Sequence, residues 1–281
     1  MDIGDRMKLY ESYETGRKCL PYLPVFARLD GKAFHTFTRG MERPYDINLT
    51  NLMQDTLVYL MRETNALVGY TQSDELTLMF YSDEFDSQIF FDGKIFKMCS
   101  VLASYCSVYF NKQLVQYFPE KAESTNLPVF DCRVWQVPNK DEACNVFLWR
   151  QMDATRNSIE MSAQALYSHK QLHKKNCDEL QEMIFQKGIN WNDYPSFFKR
   201  GSFYIRKIVE TPFTPDEVAE LPPQHDYFKN PELVVKRSRI VNVDMPPIQK
   251  LLNREGVFFD SQDPIVALEI SKLNKKEEQH V

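Results

Sequence analysis

The segment VFARLDGKAF, residues 25–34, predicts both the start of the fold and its candidate site. Its apolar residues alternate with Arg28 and Asp30, which is the period of a strand with one buried face. The pair Asp30-Gly31 then ends the strand in a turn. A second acidic turn, TQSDE at residues 71–75, lies between two further strand-like runs. We infer that the two turns meet and hold a divalent metal; the alternative is that Asp30 and Asp74 only form turns, where Asp is common.

The surrounding pattern predicts a ferredoxin-like α+β domain. Strands alternate with amphipathic helices in the order strand, helix, strand, strand, helix, strand, which is the split β-α-β unit. The predicted bounds are 24–30, 46–64, 68–71, 76–81, 91–114 and 128–135. With right-handed crossovers the third strand lies between the first two, so Asp30 and Asp74 reach the same sheet edge.

Helices should cover one face of this sheet. The other face is expected to be free to hold a substrate, and it carries Phe26, Arg28, Thr77, Asp131 and Arg133. We therefore divide the chain into a catalytic domain, residues 1–138, and a helical and irregular C-terminal region packed on it, residues 139–281. In that region we predict helices over 142–167 and 170–187, strands over 202–209 and 234–243, irregular chain over 211–232, and a fraying end from 272.

The composition limits the classes of protein to which this chain can belong. The chain has 281 residues, 43% of them hydrophobic, and a formal net charge of -5. No apolar run reaches membrane-spanning length and the N-terminus lacks a signal-peptide pattern, so we expect a cytoplasmic protein with no membrane partner. The six cysteines contain no Cys-x-x-Cys pair and are predicted to be reduced core residues.

Several residues are candidates for binding phosphate. The turn Gly31-Lys32-Ala33-Phe34-His35 can present consecutive backbone amides to a triphosphate, although it is not a P-loop. The other candidates are side chains that can reach or orient phosphate: Arg43, Ser73, Lys94 and Lys97. The alternative for the two helical lysines is a solvated helix flank, and for Ser73 it is turn chemistry.

Other polar residues have roles that the pattern leaves open. Glu75 opens the third strand and either supports the acidic site or contacts the acceptor. Asp131 and Arg133 are expected to pair with each other. Along one helical stretch, the polar spacing of four residues indicates either a nucleic-acid surface or a subunit contact: Trp149, Arg150, Asp153 and Asn157. An aromatic and basic turn carries Lys199 and Arg200.

Taken together, the motifs resemble the tRNA-histidine guanylyltransferase family. They occur in order over residues 24–205, and they are Arg28-Leu29-Asp30-Gly31-x-x-Phe34-His35-x-Phe37, Gln72-Ser73-Asp74-Glu75, Lys97 before Ala103-Ser104, Phe130-Asp131-x-Arg133 and Trp149-Arg150-Gln151-x-Asp153.

The resemblance implies a polymerase palm domain working in reverse, in which the 3′-hydroxyl of an incoming nucleotide attacks an activated tRNA 5′ end. ATP would activate that end unless it already carries a triphosphate, and GTP or another NTP is added. Asp30, the Gly31 carbonyl and Asp74 would bind two Mg²⁺ ions, with Glu75 as a further catalytic residue. The triphosphate contacts would come from Gly31 to His35, Arg43, Ser73, Asp74, Lys94 and Lys97.

We also predict RNA contacts from Arg150, Asn157, Lys199 and Arg200. The resemblance implies a homotetramer. One motif departs from the family. Enzymes dedicated to histidine tRNA carry His-Ile-Asn-Asn where this chain has Thr155-Arg156-Asn157-Ser158. The chain therefore resembles the guanylyltransferase-like branch, which repairs 5′-truncated tRNA by templated 3′-5′ addition.

Three alternatives stay open at this point. The first is a guanylyltransferase that adds a single G to histidine tRNA. The second is a palm-fold nucleotide cyclase, which the hairpin sequence Gln72 to Leu76 disfavours. The third is a catalytically silent RNA-binding module.

Overall fold

A computed structural model of the chain describes residues 1–84, 87–123 and 126–267. The predicted fraying end from Lys272 lies outside the described residues. The strands are β1 (Val25–Gly31), β2 (Val68–Gln72), β3 (Glu75–Phe80), β4 (Phe130–Gln136), β5 (Ser202–Pro212) and β6 (Val234–Val243). The α-helices are α1 (Ile3–Thr15), α2 (Phe34–Phe37), α3 (Ile47–Thr64), α4 (Ile95–Tyr117), α5 (Pro119–Ala122), α6 (Lys140–Gln164), α7 (His169–Leu172), α8 (Cys177–Phe185), α9 (Ser196–Arg200), α10 (Pro215–Glu220) and α11 (Arg254–Phe259).

The six strands form one antiparallel sheet in the order β4-β1-β3-β2-β5-β6. β3 lies between β1 and β2 and runs antiparallel to both, which confirms the predicted order of the first three strands. Asp30 opposes Glu75 on one side and Asp131 on the other. The strand ends that carry the acidic turns are thereby brought to one edge.

Helices α3 and α4 cover one face of the sheet. Asp46 begins α3 because its carboxylate accepts from the amides of Asn48 at 2.9 Å and Leu49 at 3.2 Å. Leu52, Met53 and Leu60 are among the α3 residues buried against Val25, Ala27 and Leu29 of β1, as the helical period predicts.

The prediction that the second face is free is wrong. Phe26 and Thr77 are fully buried at 0% exposure, because α6 and residues 245–258 pack over them. Phe147 of α6 contacts Phe26 edge-on with ring centroids 5.4 Å apart. The side of this face near the edge strand β4 stays open, where the side chains of Asp131 and Arg133 are each 53% exposed.

Two predicted helices differ from the observed ones at their turns. The predicted helix 170–187 is divided between α7 and α8, because Lys174 has a positive φ of 62° and Asn176 begins α8 with a capping box to Glu179. The predicted helix 91–114 starts only at Ile95 and extends to Tyr117, after positive φ values at Phe91, Asp92 and Gly93.

The region after residue 138 adds two strands to the same sheet. β5 pairs with β2 from Ser202 to Ile205, and β6 pairs with β5 along its whole length. The predicted irregular stretch 211–232 contains the short helix α10 and a 3-10 turn at Asp226–Phe228. Over the described part of the chain, no helix combines the length and apolar character needed to cross a membrane.

Candidate active site

The structure brings the two acidic turns together. The amide of Gly31 donates to the carbonyl oxygen of Asp74 at 3.2 Å, which ties the end of β1 to the β2–β3 turn. Ser73 has a left-handed φ of 54°, and its hydroxyl donates to Asp74 Oδ1 at 3.1 Å. Asp30, Ser73 and Asp74 line one polar cleft with Glu75. The side chains predicted to share a cation therefore lie at one site.

Charge repulsion at this site favours a bound cation. Burial raises the pKa of the Asp74 carboxyl, and the charge of Asp30 raises that pKa further. Among the residues that the structure describes, no group of three or more His, Cys, Asp or Glu side chains is arranged to hold a metal. Two carboxylates completed by a backbone carbonyl, water and phosphate suit Mg²⁺, which is usually held by few protein ligands. The donor set therefore fits Mg²⁺.

Glu75 is held by a buried ion pair. Arg150 is 4% exposed, and its Nη1 donates to both carboxylate oxygens of Glu75 at 2.6 Å. Its Nη2 donates to Asp153 at 2.8 Å, and its own carbonyl accepts from the Tyr70 hydroxyl at 3.2 Å. Burial raises the pKa of Glu75, and Arg150 opposes that rise. Because Arg150 is buried and its guanidinium is bound to Glu75 and Asp153, this structure argues against the RNA contact predicted for it.

The turn predicted to bind a triphosphate begins with two amides that are already bonded. The amides of Gly31 and Lys32 donate to the carbonyls of Asp74 and Val129. The chain then enters the short helix α2, where Ala33 precedes Phe34 and His35 and provides no side-chain cap. Amides in the first turn of a helix lack helical partners, so those after Ala33 are the better candidates for an anion. The Phe34 side chain is instead part of the core, with its ring 5.1 Å from that of Phe130.

An aromatic cleft adjoins the acidic one and shares Gln72, Ser73 and Met161 with it. Arg43, which is predicted to contact the triphosphate, lines this cleft. Sequence reasoning missed Tyr45, whose ring lies 4.7 Å from Phe198 and 5.3 Å from Phe197. The double Phe before Lys199 was the available signal, but nothing in the sequence links it to residue 45.

Lys94 and Lys97 lie at the other end of the sheet. β3 ends at Phe80, which pairs with Val25 at the start of β1, and the Phe80 ring stacks on Phe90 shortly before α4 begins. β1 is seven residues long, which corresponds to about 20 Å of extended chain. The structure therefore places these lysines at the end of the sheet away from Asp30 and not beside the acidic cleft of the same chain. Lys97 instead lies over the Phe91 ring at 4.7 Å.

The remaining residues predicted to contact RNA lie in two places. Asn157 lines the acidic cleft, whereas Lys199 and Arg200 are not among its lining residues. Lys199 lies in α9, where its Nζ is bound by the Asn192 carbonyl and lies 5.5 Å from the Trp191 ring. Burial lowers the pKa of Lys199, and Arg200 lowers it further. Arg200 keeps a buried Nε that has no partner among the described residues. Asp131 and Arg133 form the predicted pair at 3.3 Å.

Comparison with known proteins agrees with this geometry. The family model of tRNAHis guanylyltransferase matches residues 4–138. A solved structure of a bacterial tRNA(His) guanylyltransferase (Thg1)-like protein in complex with ATP is 34% identical, with a TM-score of 0.73, and covers 91% of this chain and 97% of that one. The complex of such a bacterial protein with GTP is 32% identical, with a TM-score of 0.66 and coverage of 88% and 94%.

Among curated relatives, the tRNA(His) guanylyltransferase of Saccharomyces cerevisiae is 28% identical over 211 residues, covering 69% of this chain and 87% of that protein. The fold is thus that of guanylyltransferase-like proteins. The chain belongs to the tRNAHis guanylyltransferase family, whose members are nucleotidyltransferases.

Proposed function

We propose that this protein is a magnesium-dependent nucleotidyltransferase that adds nucleotides in the 3′-5′ direction to the 5′ end of tRNA, directed by the opposite strand. The observation that carries the proposal is the meeting of Asp30 and Asp74 at one cleft. Membership of the family supports the reaction class, and relatives with bound ATP and GTP support nucleoside triphosphates as substrates.

Each residue of the site has a distinct part in the proposed reaction. Asp30, Asp74 and the Gly31 carbonyl would hold two Mg²⁺ ions, which would supply Lewis-acid stabilisation of phosphate charge. The amides of Ala33 to His35, together with Arg43 and Ser73, bind the triphosphate. The aromatic cleft at Tyr45 and Phe198 accepts the nucleobase of the incoming nucleotide. Arg150 fixes Glu75 beside Asp30.

The chemistry is a displacement at phosphorus. The 3′-hydroxyl oxygen of the incoming nucleotide forms a bond to the 5′ phosphorus of the RNA, and the hydroxyl proton is lost to solvent. The bond to the activating group breaks, so AMP leaves from an adenylated end or pyrophosphate from a triphosphate end. In a polymerase-like palm, which we propose for the first four strands, catalysis rests on positioning and charge neutralisation.

Templated repair is favoured over addition of a single G by one departure in sequence. Residues 155–158 are Thr-Arg-Asn-Ser in this chain, and Arg156 of that run is bound by Asp153. The alternative, a single added G, is favoured by the curated relatives, which include tRNA(His) guanylyltransferases.

The test uses a tRNA that lacks its first nucleotide, in four versions that differ only in the templating base. Each version is incubated with Mg²⁺ and each labelled NTP in turn. Incorporation of the complementary nucleotide in all four versions is expected. Addition of G regardless of the template would contradict templating, and addition only to full-length histidine tRNA would favour the alternative.

The assembly and location are part of the same proposal. We propose a homotetramer, a cytoplasmic location, and tRNA and subunit contacts within residues 139–281. Light scattering on the full chain measures the mass of the assembly directly. A monomer at micromolar concentration would contradict the tetramer and leave the chemistry unaffected.

A further inference from the structure

A large aromatic side chain is exposed beside the acidic site. Trp149 of α6 is 48% exposed, although it lies over two arginines. The ring centroid is 3.7 Å from Cζ of Arg150 and 5.6 Å from Cζ of Arg28. The indole is therefore held in place on one side by cation–π contacts, while much of its surface stays open to solvent.

The two arginines next to this ring differ in the number and length of their ion pairs. Arg150 is bound by Glu75 and Asp153. Arg28 makes one long ion pair, 3.8 Å to Glu75, and its Nε has no partner among residues 1–84, 87–123 and 126–267. Arg28 precedes Asp30 by two residues on the same strand, so its side chain faces the same way as the carboxylate of Asp30.

Arg133 completes this surface. It lies directly opposite Arg28 in the β1–β4 register, so their side chains share one face. Its pair with Asp131 is 3.3 Å long and both side chains are 53% exposed, which makes the pair weak and easily exchanged for a phosphate. We call the surface formed by Trp149, Arg28 and Arg133 the Trp149 groove.

The Trp149 groove and the aromatic cleft lie on opposite sides of the acidic pair. The groove lies over β1 and β4, whereas the aromatic cleft contains Thr71 of β2 and Ser202 of β5. A displacement at phosphorus needs the attacking and leaving groups roughly in line. If one reactant enters from the aromatic cleft, the second is expected on the other side, and the β4 edge is open to a long polymer.

We propose that the Trp149 groove binds the 5′-terminal nucleotide of the acceptor RNA, with its base stacked on Trp149 and its backbone phosphates bound by Arg28 and Arg133. This inference rests on the proposed function. Arginine bound to phosphate and a base stacked on an indole form the usual pair of contacts with unpaired nucleic acid. Trp149 is then a positioning contact for RNA and has no role in holding the NTP.

The test uses the full chain with Trp149→Ala, Trp149→Phe and Arg133→Gln. The matched control is Tyr13→Ala, an aromatic residue 76% exposed on α1, whose residues are all outside the core. Trp149→Ala is expected to raise KM for the RNA by about tenfold, the scale of one base stacked on an aromatic ring. KM for the NTP should change by less than about twofold, since no stacking is lost there. Trp149→Phe should lie between, and Tyr13→Ala should match the wild type.

Fluorescence reports binding without turnover. Trp135 is only partly buried and lies two residues from Arg133 on β4, and Trp191 lies beside Lys199, so both are replaced by Phe in the protein used for this measurement. A 5′-phosphorylated tRNA should quench the emission of this protein, in which Trp149 is the one remaining tryptophan. Turnover with unchanged KM for RNA in Trp149→Ala, or an unchanged emission of the single-tryptophan protein at saturating tRNA, overturns the inference and leaves the proposed function standing.

If Trp149 has only a structural role, different kinetic results are expected for Trp149→Ala. If the indole only shields the Glu75–Arg150 pair, both KM values and kcat should change together, and that result also overturns the inference. A quench that depends on Trp149 without any turnover supports the groove and contradicts the proposed function. Absence of both the quench and wild-type turnover contradicts both.

Discussion

The amide of Gly31 donates a hydrogen bond of 3.2 Å to the carbonyl oxygen of Asp74. These residues are distant in sequence, and this bond fixes the end of β1 against the β2–β3 turn. The position of Asp30 relative to Asp74 is therefore set by the backbone and needs no ligand to form it. The protein alone has no positive charge that offsets the two neighbouring negative charges of Asp30 and the half-buried Asp74 among the described residues of the cleft other than Arg150, which is bound to Glu75 and Asp153.

That repulsion predicts an unusual effect of Asp74→Asn. Removing this half-buried charge should raise the melting temperature of the metal-free protein by a few degrees, because the repulsion from Asp30 and the cost of desolvation are lost. The same change should abolish nucleotide transfer, because it removes a proposed metal ligand. Differential scanning fluorimetry in EDTA measures the first effect. Asp131→Asn is the control, since that carboxylate is exposed and paired. A lower melting temperature for Asp74→Asn would contradict the repulsion.

The Arg150–Glu75 pair predicts a large loss of stability. Arg150→Met leaves the Glu75 carboxylate half buried without its partner, so we expect a loss of about 3–5 kcal/mol in the free energy of unfolding. Chemical denaturation measures it. The exposed Arg133–Asp131 pair is the comparison, and Arg133→Gln should change that energy by less than about 1 kcal/mol.

A double variant separates the pair from the packing of Arg150 itself. Replacing both partners, as in Arg150→Met with Glu75→Leu, should regain much of the lost stability because no unpaired charge remains. Equal losses for the single and the double variant would show that the stability comes from side-chain packing instead of the ion pair.

The helices and strands that could be predicted are those marked by neighbouring residues in the sequence, such as a capping residue or an alternating apolar pattern. Asp46 and the apolar period that follows it located α3 within one residue, and alternation located β1 and β3 closely. The meeting of Asp30 with Asp74 was also predictable, because it follows from strand order and handedness alone.

Contacts that depend on packing were not predictable. Alternation shows that Phe26 and Thr77 share a face, but it does not show that α6 covers them. Arg150 has the pattern of a polar helix surface, and only the packing of α6 on β3 reveals its buried carboxylate partner. Lys94 and Lys97 were placed near phosphate because they are basic, while the edge at which a helix begins depends on the whole topology.

The turn after β1 predicts that substitutions at two adjacent residues differ greatly in their effect on stability. Phe34→Ala should lower the free energy of unfolding by about 3–5 kcal/mol, because the ring fills the core between Phe37, Phe110 and Phe130. His35→Ala should leave stability nearly unchanged, since that side chain is exposed. Chemical denaturation of the two variants makes the comparison. Equal losses would place His35 in the core and contradict the structure.

Arg43 provides a test of the aromatic cleft. Arg43→Gln should raise KM for the NTP about tenfold, on the scale of one lost charge-assisted contact to phosphate. Arg39, which is also exposed but does not line the cleft, supplies the control variant Arg39→Gln. Steady-state kinetics with saturating RNA measure both. If Arg39→Gln and Arg43→Gln had equal effects, general charge rather than the cleft would explain them.

The shared cation is tested most directly by Mn²⁺ binding, followed by electron paramagnetic resonance in the presence of a non-hydrolysable NTP analogue. The wild type should bind the ion, Asp30→Asn and Asp74→Asn should each weaken binding by at least about tenfold, and Asp131→Asn should bind as the wild type does. Wild-type affinity in both Asp30→Asn and Asp74→Asn would contradict the claim that these two carboxylates hold a metal together.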